Sequence, residues 1–156
     1  MALMATGNPE DALDIVQDAM VKLAQNYANK HANDWPPLFQ RILQSKIRDW
    51  YRRQKVRNRW RIFFSKEEHG EDPVANAPDM SQTKPDDKLE QTRAMQTLDS
   101  AIQALPLRQQ QAFLLRSWEG LDVAETAQAM GCSQGSVKTH YSRAIHSLRE
   151  VLEDFT

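Results

Sequence analysis

The stretch GCSQGSVKTHYSRAIHSLRE, residues 131–150, decides the fold. Ser133 stands where a helix wants its N-cap, and Val137, Tyr141, Ala144, Ile145 and Leu148 recur at three- and four-residue steps. The spacing predicts a helix with one apolar face. Gln134, Lys138, Thr139, Ser142 and Arg143 fall on its outward side toward the N-terminal half, with Ser136 beside them. Lys and Arg suit phosphates and guanine edges, while Thr, Ser and Gln suit phosphates, base edges and thymine methyls. Gly135 lowers helix propensity, which points to a close neighbour there, either another helix or a DNA backbone.

Immediately upstream, Asp122 and Glu125 have the spacing of a capping box at the start of VAETAQAM, and Gly131 ends that helix. Two short helices around a tight glycine-containing turn make a helix-turn-helix, whose second helix enters the major groove of duplex DNA. Two more helices are expected before it. TRAMQTLDSAIQAL presents Met95, Leu98, Ile102 and Leu105 on one side and stops at Pro106. LRQQQAFLLRSWEG carries Leu107, Phe113, Leu114 and Trp118 and ends at Gly120.

The N-terminal part reads differently. NPEDALDIVQDAMVKLAQNYANK predicts a helix capped by Asn8, with Pro9 at its first position and Glu10 and Asp11 where the helix dipole favours negative charge. Leu13, Val16, Met20, Leu23 and Tyr27 form its expected apolar stripe, and Asp14, Gln17, Asp18 and Gln25 its polar face. Pro36 and Pro37 place a loop in HANDWPPLF, and a second helix is expected from near Leu38 through Phe39, Ile42, Leu43, Ile47, Trp50 and Tyr51.

Charge is unevenly placed along the 156 residues, although the net charge is only −1. Residues 41–61 hold nine basic side chains (Arg41, Lys46, Arg48, Arg52, Arg53, Lys55, Arg57, Arg59 and Arg61) against Asp49 alone. Such a run repels itself unless something anionic lies against it. Interleaved Trp50, Tyr51, Trp60, Phe63 and Phe64 offer faces on which unpaired bases can stack. Residues 65–90 carry eight acidic and three basic groups with three prolines and no apolar periodicity, the composition of a flexible acidic linker. The expectation is an all-α chain of two small helical domains, residues 1–64 and 91–156, joined by that linker, the second a helix-turn-helix.

Other chemistries find no support in the residues. The four histidines have no i, i+4 pair to aim at one metal, so neither metal nor cofactor is expected. No paired carboxylates, nucleophile triad or glycine-rich phosphate loop suggests an enzyme. No apolar run of about 18 residues and no secretory leader is readable, and the single Cys132 fits a reducing compartment, so a cytoplasmic protein without membrane insertion is expected.

These segments, in this order, resemble the extracytoplasmic-function sigma factors of bacteria. Residues 104–152 resemble the family's fourth conserved region nearly position for position. DALDIVQDAMVKLAQ resembles the segment that grips the polymerase clamp helices, and FQRILQSKIRDWYRRQKVRNR the helix that melts and reads the minus-10 element. The resemblance implies that Asp14, Gln17 and Asp18 face core RNA polymerase. It implies that Lys46, Arg48, Arg52, Arg53, Lys55 and Arg57 follow the non-template strand, and that Trp35 to Phe39 correspond to the loop capturing a flipped base. It places Gln134, Ser136, Lys138, Thr139, Ser142 and Arg143 at the minus-35 element of promoter DNA. An anti-sigma factor is a further partner common in the family, and members usually have another helix of some 25 residues ahead of the position of Met1. The alternative reading is a helix-turn-helix regulator that binds duplex DNA without polymerase.

Overall fold

The computed structural model describes residues 1–65 and 87–153, with side chains over 1–61 and 92–153. Among these residues there are helices and turns and no strand. A short helix α1 (Ala2–Thr6) precedes α2 (Pro9–Tyr27); a 3-10 turn (Ala32–Asp34) leads into α3 (Trp35–Ser65). The C-terminal domain has α4 (Asp87–Ala104), α5 (Leu107–Phe113) continuing into a π-helical turn (Leu114–Trp118), α6 (Val123–Met130) and α7 (Gln134–Glu153). None of the described helices is long and apolar enough to cross a membrane.

Local signals set most boundaries. The Asn8 side chain accepts from the backbone N–H groups of Glu10 and Asp11, at 2.8 and 3.3 Å, satisfying two donors that a helix start leaves open. Asp122 and Glu125 form a complete capping box, each side chain bonded to the other's backbone N–H at 2.8 Å. Ser133 accepts from the N–H of Ser136 at 3.1 Å to open α7. Gly131, at φ 62°, closes α6 in the left-handed conformation that glycine adopts without steric cost.

Four expectations are corrected. Helix α3 begins at Trp35 rather than near Leu38, because prolines in a first turn surrender N–H groups that have no helical partner there anyway. It also continues through the whole basic run to Ser65. The buried stripe of α2 is Ala12, Ile15, Ala19 and Leu23, whereas Leu13 and Met20 are each 58% exposed. Small side chains at 12 and 19 favour this face, since they allow close approach to Ile42, Leu43 and Ile47 of α3 in one core. Of the acidic stretch 65–90, Ser65 belongs to α3 and residues 87–90 to α4, and residues 66–86 lie outside the described residues. Finally, Met95 and Trp118, expected on apolar faces, are exposed, Trp118 at 75%.

Helix α7 is mounted on the C-terminal core by Val137, Ala144 and Leu148, all buried, against Ala112, Leu114, Leu115 and Met130 among others. Burying one such large aliphatic side chain contributes roughly 1.5–3 kcal/mol. Tyr141 adds direction. Its ring stacks on Phe113 with centroids 6.4 Å apart, the Arg116 guanidinium lies over the ring at 5.5 Å, and its hydroxyl is 3.3 Å from Ser117 Oγ. The end of α5 and the π-helical turn together therefore present three groups to one tyrosine of α7.

Candidate nucleic-acid interface

Rotation of α7 follows from that anchoring. With Val137, Ala144 and Leu148 inward, Gln134, Lys138, Thr139, Ser142 and Arg143 are exposed together along one side. Ser136 is half-buried and its hydroxyl sits 2.9 Å from that of Ser133, so it serves the helix start rather than standing free. The Thr139 hydroxyl donates to the Gly135 carbonyl at 3.1 Å, leaving its oxygen able to accept. A Cβ at Gly135 would meet only Ser133 Oγ, at 3.9 Å, so no neighbouring helix accounts for this glycine.

His140 lies behind this face. Burial first, then the guanidiniums of Arg108 and Arg143, hold its imidazole below the usual histidine range and so favour the neutral ring.

On α3 the cations divide. Arg52, Arg53, Lys55 and Arg57 are exposed on successive turns, and Lys55 Nζ lies 5.5 Å above the Tyr51 ring. Trp50 and Tyr51 are half-buried with ring centroids 6.4 Å apart. Trp60 is exposed, and the Phe63 and Phe64 side chains lie outside the described residues. Lys46 is turned toward α2, where its Nζ is 3.9 Å from Asp18 Oδ2. Two residues assigned by resemblance to different partners therefore face each other. Asp14 and Gln17 are exposed beside Leu13 and Met20 on that side of α2.

Arg48 departs from the others. Its Nη1 donates to the carbonyl of Met130, the last residue of α6, at 2.7 Å, and Arg108 Nη1 donates to the same oxygen at 2.9 Å. Burial, and next the Arg108 charge, push the Arg48 guanidinium below the ordinary arginine value. Nearby, Gln111 Nε2 donates to the Gln44 carbonyl at 3.3 Å, and Gln111 Oε1 accepts from Arg108 Nη1 at 3.3 Å. Gln110 Nε2 donates to Met4 O and Ile102 O at 3.1 and 3.0 Å. Arg108, Gln110 and Gln111 were not among the expected site residues. The available signal is the run QQQ at 109–111, two members of which, Gln110 and Gln111, are buried.

Pro36, Pro37 and Phe39, at the start of α3, line one cleft together with Leu121, Ala124, Gly131 and Gln134 of the helix-turn-helix. The segment expected to capture a base thus faces the segment expected to read duplex.

Residues 95–148 match the family model described as Sigma-70, region 4. The chain is 31% identical over 149 residues to an RNA polymerase sigma-E factor of Streptomyces avermitilis, covering 94% of this chain and 73% of that protein. It is 37% identical over 70 residues, 45% of this chain and 26% of that one, to the ECF RNA polymerase sigma factor BldN of Streptomyces coelicolor. In fold it matches the sigma factor RpoE of Bartonella quintana, solved in complex with the anti-sigma factor NepR. The TM-score is 0.61 at 22% identity, over 97% of this chain and 87% of that one.

Proposed function

Since this chain belongs to the extracytoplasmic-function sigma factors of bacterial RNA polymerase, we propose that its two helical domains divide promoter recognition between them. The C-terminal domain, within 91–156, reads the minus-35 duplex with Gln134, Lys138, Thr139, Ser142 and Arg143. Ser136 supports the start of that helix. The N-terminal domain, within 1–64, follows the melted minus-10 strand with Arg52, Arg53, Lys55 and Arg57, joined by Lys46 and Arg48 once these leave their present partners.

The observation that carries this reading is the exposed polar and basic side of α7, held outward by a buried Val137, Ala144 and Leu148. A helix buried only for packing gains nothing from aligning Lys138, Ser142 and Arg143 away from its core. Core RNA polymerase docks on the exposed side of α2, where Asp14, Gln17 and Asp18 flank Leu13 and Met20, a mixed acidic and apolar surface suited to a partner helix carrying cations and aliphatics. An anti-sigma factor belongs to the same reading as a competing partner. The chain acts as a specificity subunit within this family, and the polymerase performs the chemistry.

The test is run-off transcription with core polymerase on pooled genomic fragments, with start sites mapped. Transcripts from a small set of shared start sites are expected. Specific footprints by the free chain, with no transcripts when polymerase is added, would favour the independent duplex-binding regulator instead.

A further inference from the structure

We infer that Gly135 is kept free of a side chain so that the backbone of α7 can lie against the sugar-phosphate wall of the minus-35 major groove, which makes it a positioning residue for duplex reading. The inference rests on the promoter-reading function proposed above and concerns the helix-turn-helix alone.

The glycines of the C-terminal domain separate by cause. Gly120 and Gly131 have φ of 71° and 62°, the left-handed region in which a side chain is strained. Gly135 is not among the glycines of positive φ, and it lies inside α7, one residue after the helix begins at Gln134. Nor is it wedged against a neighbour: a Cβ built there would come near Ser133 Oγ alone among the described residues, at 3.9 Å, an ordinary contact. The helix start is served by its own cap, since Ser133 Oγ accepts from the Ser136 N–H and Ser133 O from the Val137 N–H. What is at stake at Gly135 is space, not a donor. Glycine at an exposed helical position costs stability relative to alanine, and nothing in the described chain offsets that cost.

Its place fixes what it faces. Gly135 stands one turn ahead of Lys138 and Thr139 and two turns ahead of Ser142, all exposed, so it shares the outward side of α7. Cα–Cβ bonds in a helix tilt toward its N-terminus, so a side chain at 135 would project forward over the turn that leads out of α6. In a helix-turn-helix the N-terminal residues of the second helix are those that come against the bases. Room there is short, because a helix with its side chains is about 10–12 Å across and the major groove about 12 Å wide.

Chemistry separates the wall of the groove from its floor. Gly135 has no side chain with which to read a base edge, and its carbonyl accepts from Thr139 Oγ at 3.1 Å. A contact through its Cα can only set how deeply and at what angle the helix sits. Lys138 and Arg143 are long enough to follow phosphates at the rim. Thr139 and Ser142 are short, and they reach base edges only when the helix backbone comes close. The bare position at 135 is what admits them.

The full chain assembled with core RNA polymerase is offered a pool of random-sequence duplexes, the bound fraction is sequenced, and the duplex preferred by wild type becomes the probe for titrations. Melting of the free chain is followed in parallel by circular dichroism. Gly135→Ala is expected to raise the melting temperature by about 2–4 °C, since alanine favours the helix and meets no neighbour. The same change should weaken probe binding by about tenfold, as one methyl forced into a packed contact does. Gly135→Leu, still a good helix former, should weaken it further. Both variants should select the same sequence as wild type, because a wall contact carries no base preference. Wild-type affinity in both variants, a changed preferred sequence, or melting lowered by several degrees would overturn the inference; the last would mean that a neighbour within the chain requires the glycine. Arg143→Ala separates the two ideas. Binding weakened by Arg143→Ala but not by either Gly135 variant removes the close approach alone, whereas a wild-type assembly that selects no duplex removes the promoter reading and the close approach with it.

Discussion

Arg48 and Met130 are 82 positions apart in sequence, and the Arg48 guanidinium donates to the Met130 carbonyl at 2.7 Å. One of the cations expected on the minus-10 strand thus caps the first helix of the helix-turn-helix. The contact couples the positions of the two elements proposed to read DNA, so substitutions must be judged for their effect on each domain separately and on the contact between them.

Replacing Arg143 by alanine is expected to weaken minus-35 duplex binding by about 1–3 kcal/mol if its guanidinium meets a base edge, the range for a lost bidentate base contact. Arg143 is exposed and its neighbours in the core are untouched, so melting temperature should hold within about a degree or two. Affinity for core polymerase, measured in parallel, should be unchanged. A proportional loss of both affinities would argue against the division between the domains.

Asp18→Lys places a cation opposite Lys46 on the proposed polymerase-facing side of α2. The existing Asp18–Lys46 pair is long, at 3.9 Å, and solvent-accessible, so it contributes at most about 1 kcal/mol to stability. Polymerase affinity should fall by tenfold or more while thermal stability changes little. A titration of labelled chain with core enzyme reads the first quantity and a melting curve the second. Unaltered polymerase binding would remove Asp18 from the docking surface.

Asp122→Ala deletes the half of the box in which the Asp122 side chain accepts from the Glu125 N–H, and leaves the Glu125 side chain on the backbone N–H of residue 122. A loss of about 1 kcal/mol in the C-terminal domain is expected by chemical denaturation. Gly131→Ala should cost a comparable 1–2 kcal/mol through the φ of 62° alone. The added Cβ would sit in ordinary contact with Arg48, 3.5 Å away, so strain rather than collision is the cause.

Acid should act on His140 with a definite sign. Its folded-state pKa is lowered, by burial and then by Arg108 and Arg143, so the unfolded chain binds the proton more readily. Stability is full above the ordinary histidine pKa of about 6.5 and declines as pH falls below it toward the folded value. The effect is modest because the ring is only partly covered. A duplex phosphate near Arg143 would reverse the preference, so minus-35 binding should strengthen over the same pH interval. His140→Gln should flatten both dependences. A binding profile with the same sign as the stability profile would place His140 away from the phosphates.

Much of the site is legible because its causes are local. The side of α7 carrying Lys138, Ser142 and Arg143 follows from the spacing of Val137, Ala144 and Leu148. The caps at Asn8, Asp122 and Ser133 are satisfied within three residues. The α2 stripe is less legible, because a simple count of large apolar residues favours Leu13 and Met20, while packing chooses Ala12 and Ala19. Hydrophobicity selects large side chains, but close approach to α3 selects small ones. The helical start at Trp35 is missed for a related reason: Pro36 and Pro37 break a helix interior but not its first turn.

The sequence by itself determined the all-α class, the helix-turn-helix and the concentration of cations on α3, because each depends on hydrogen bonds or periodicities spanning a few residues. Only the tertiary structure decided that Arg48 leaves the basic run for Met130, and that Gln111 and Gln110 bond to Gln44 and Met4, across separations of 67 and 106 positions. Those bonds depend on where two separately folded surfaces meet. A glutamine or arginine has no local signal distinguishing a backbone carbonyl of another domain from water, so docking alone assigns its partner.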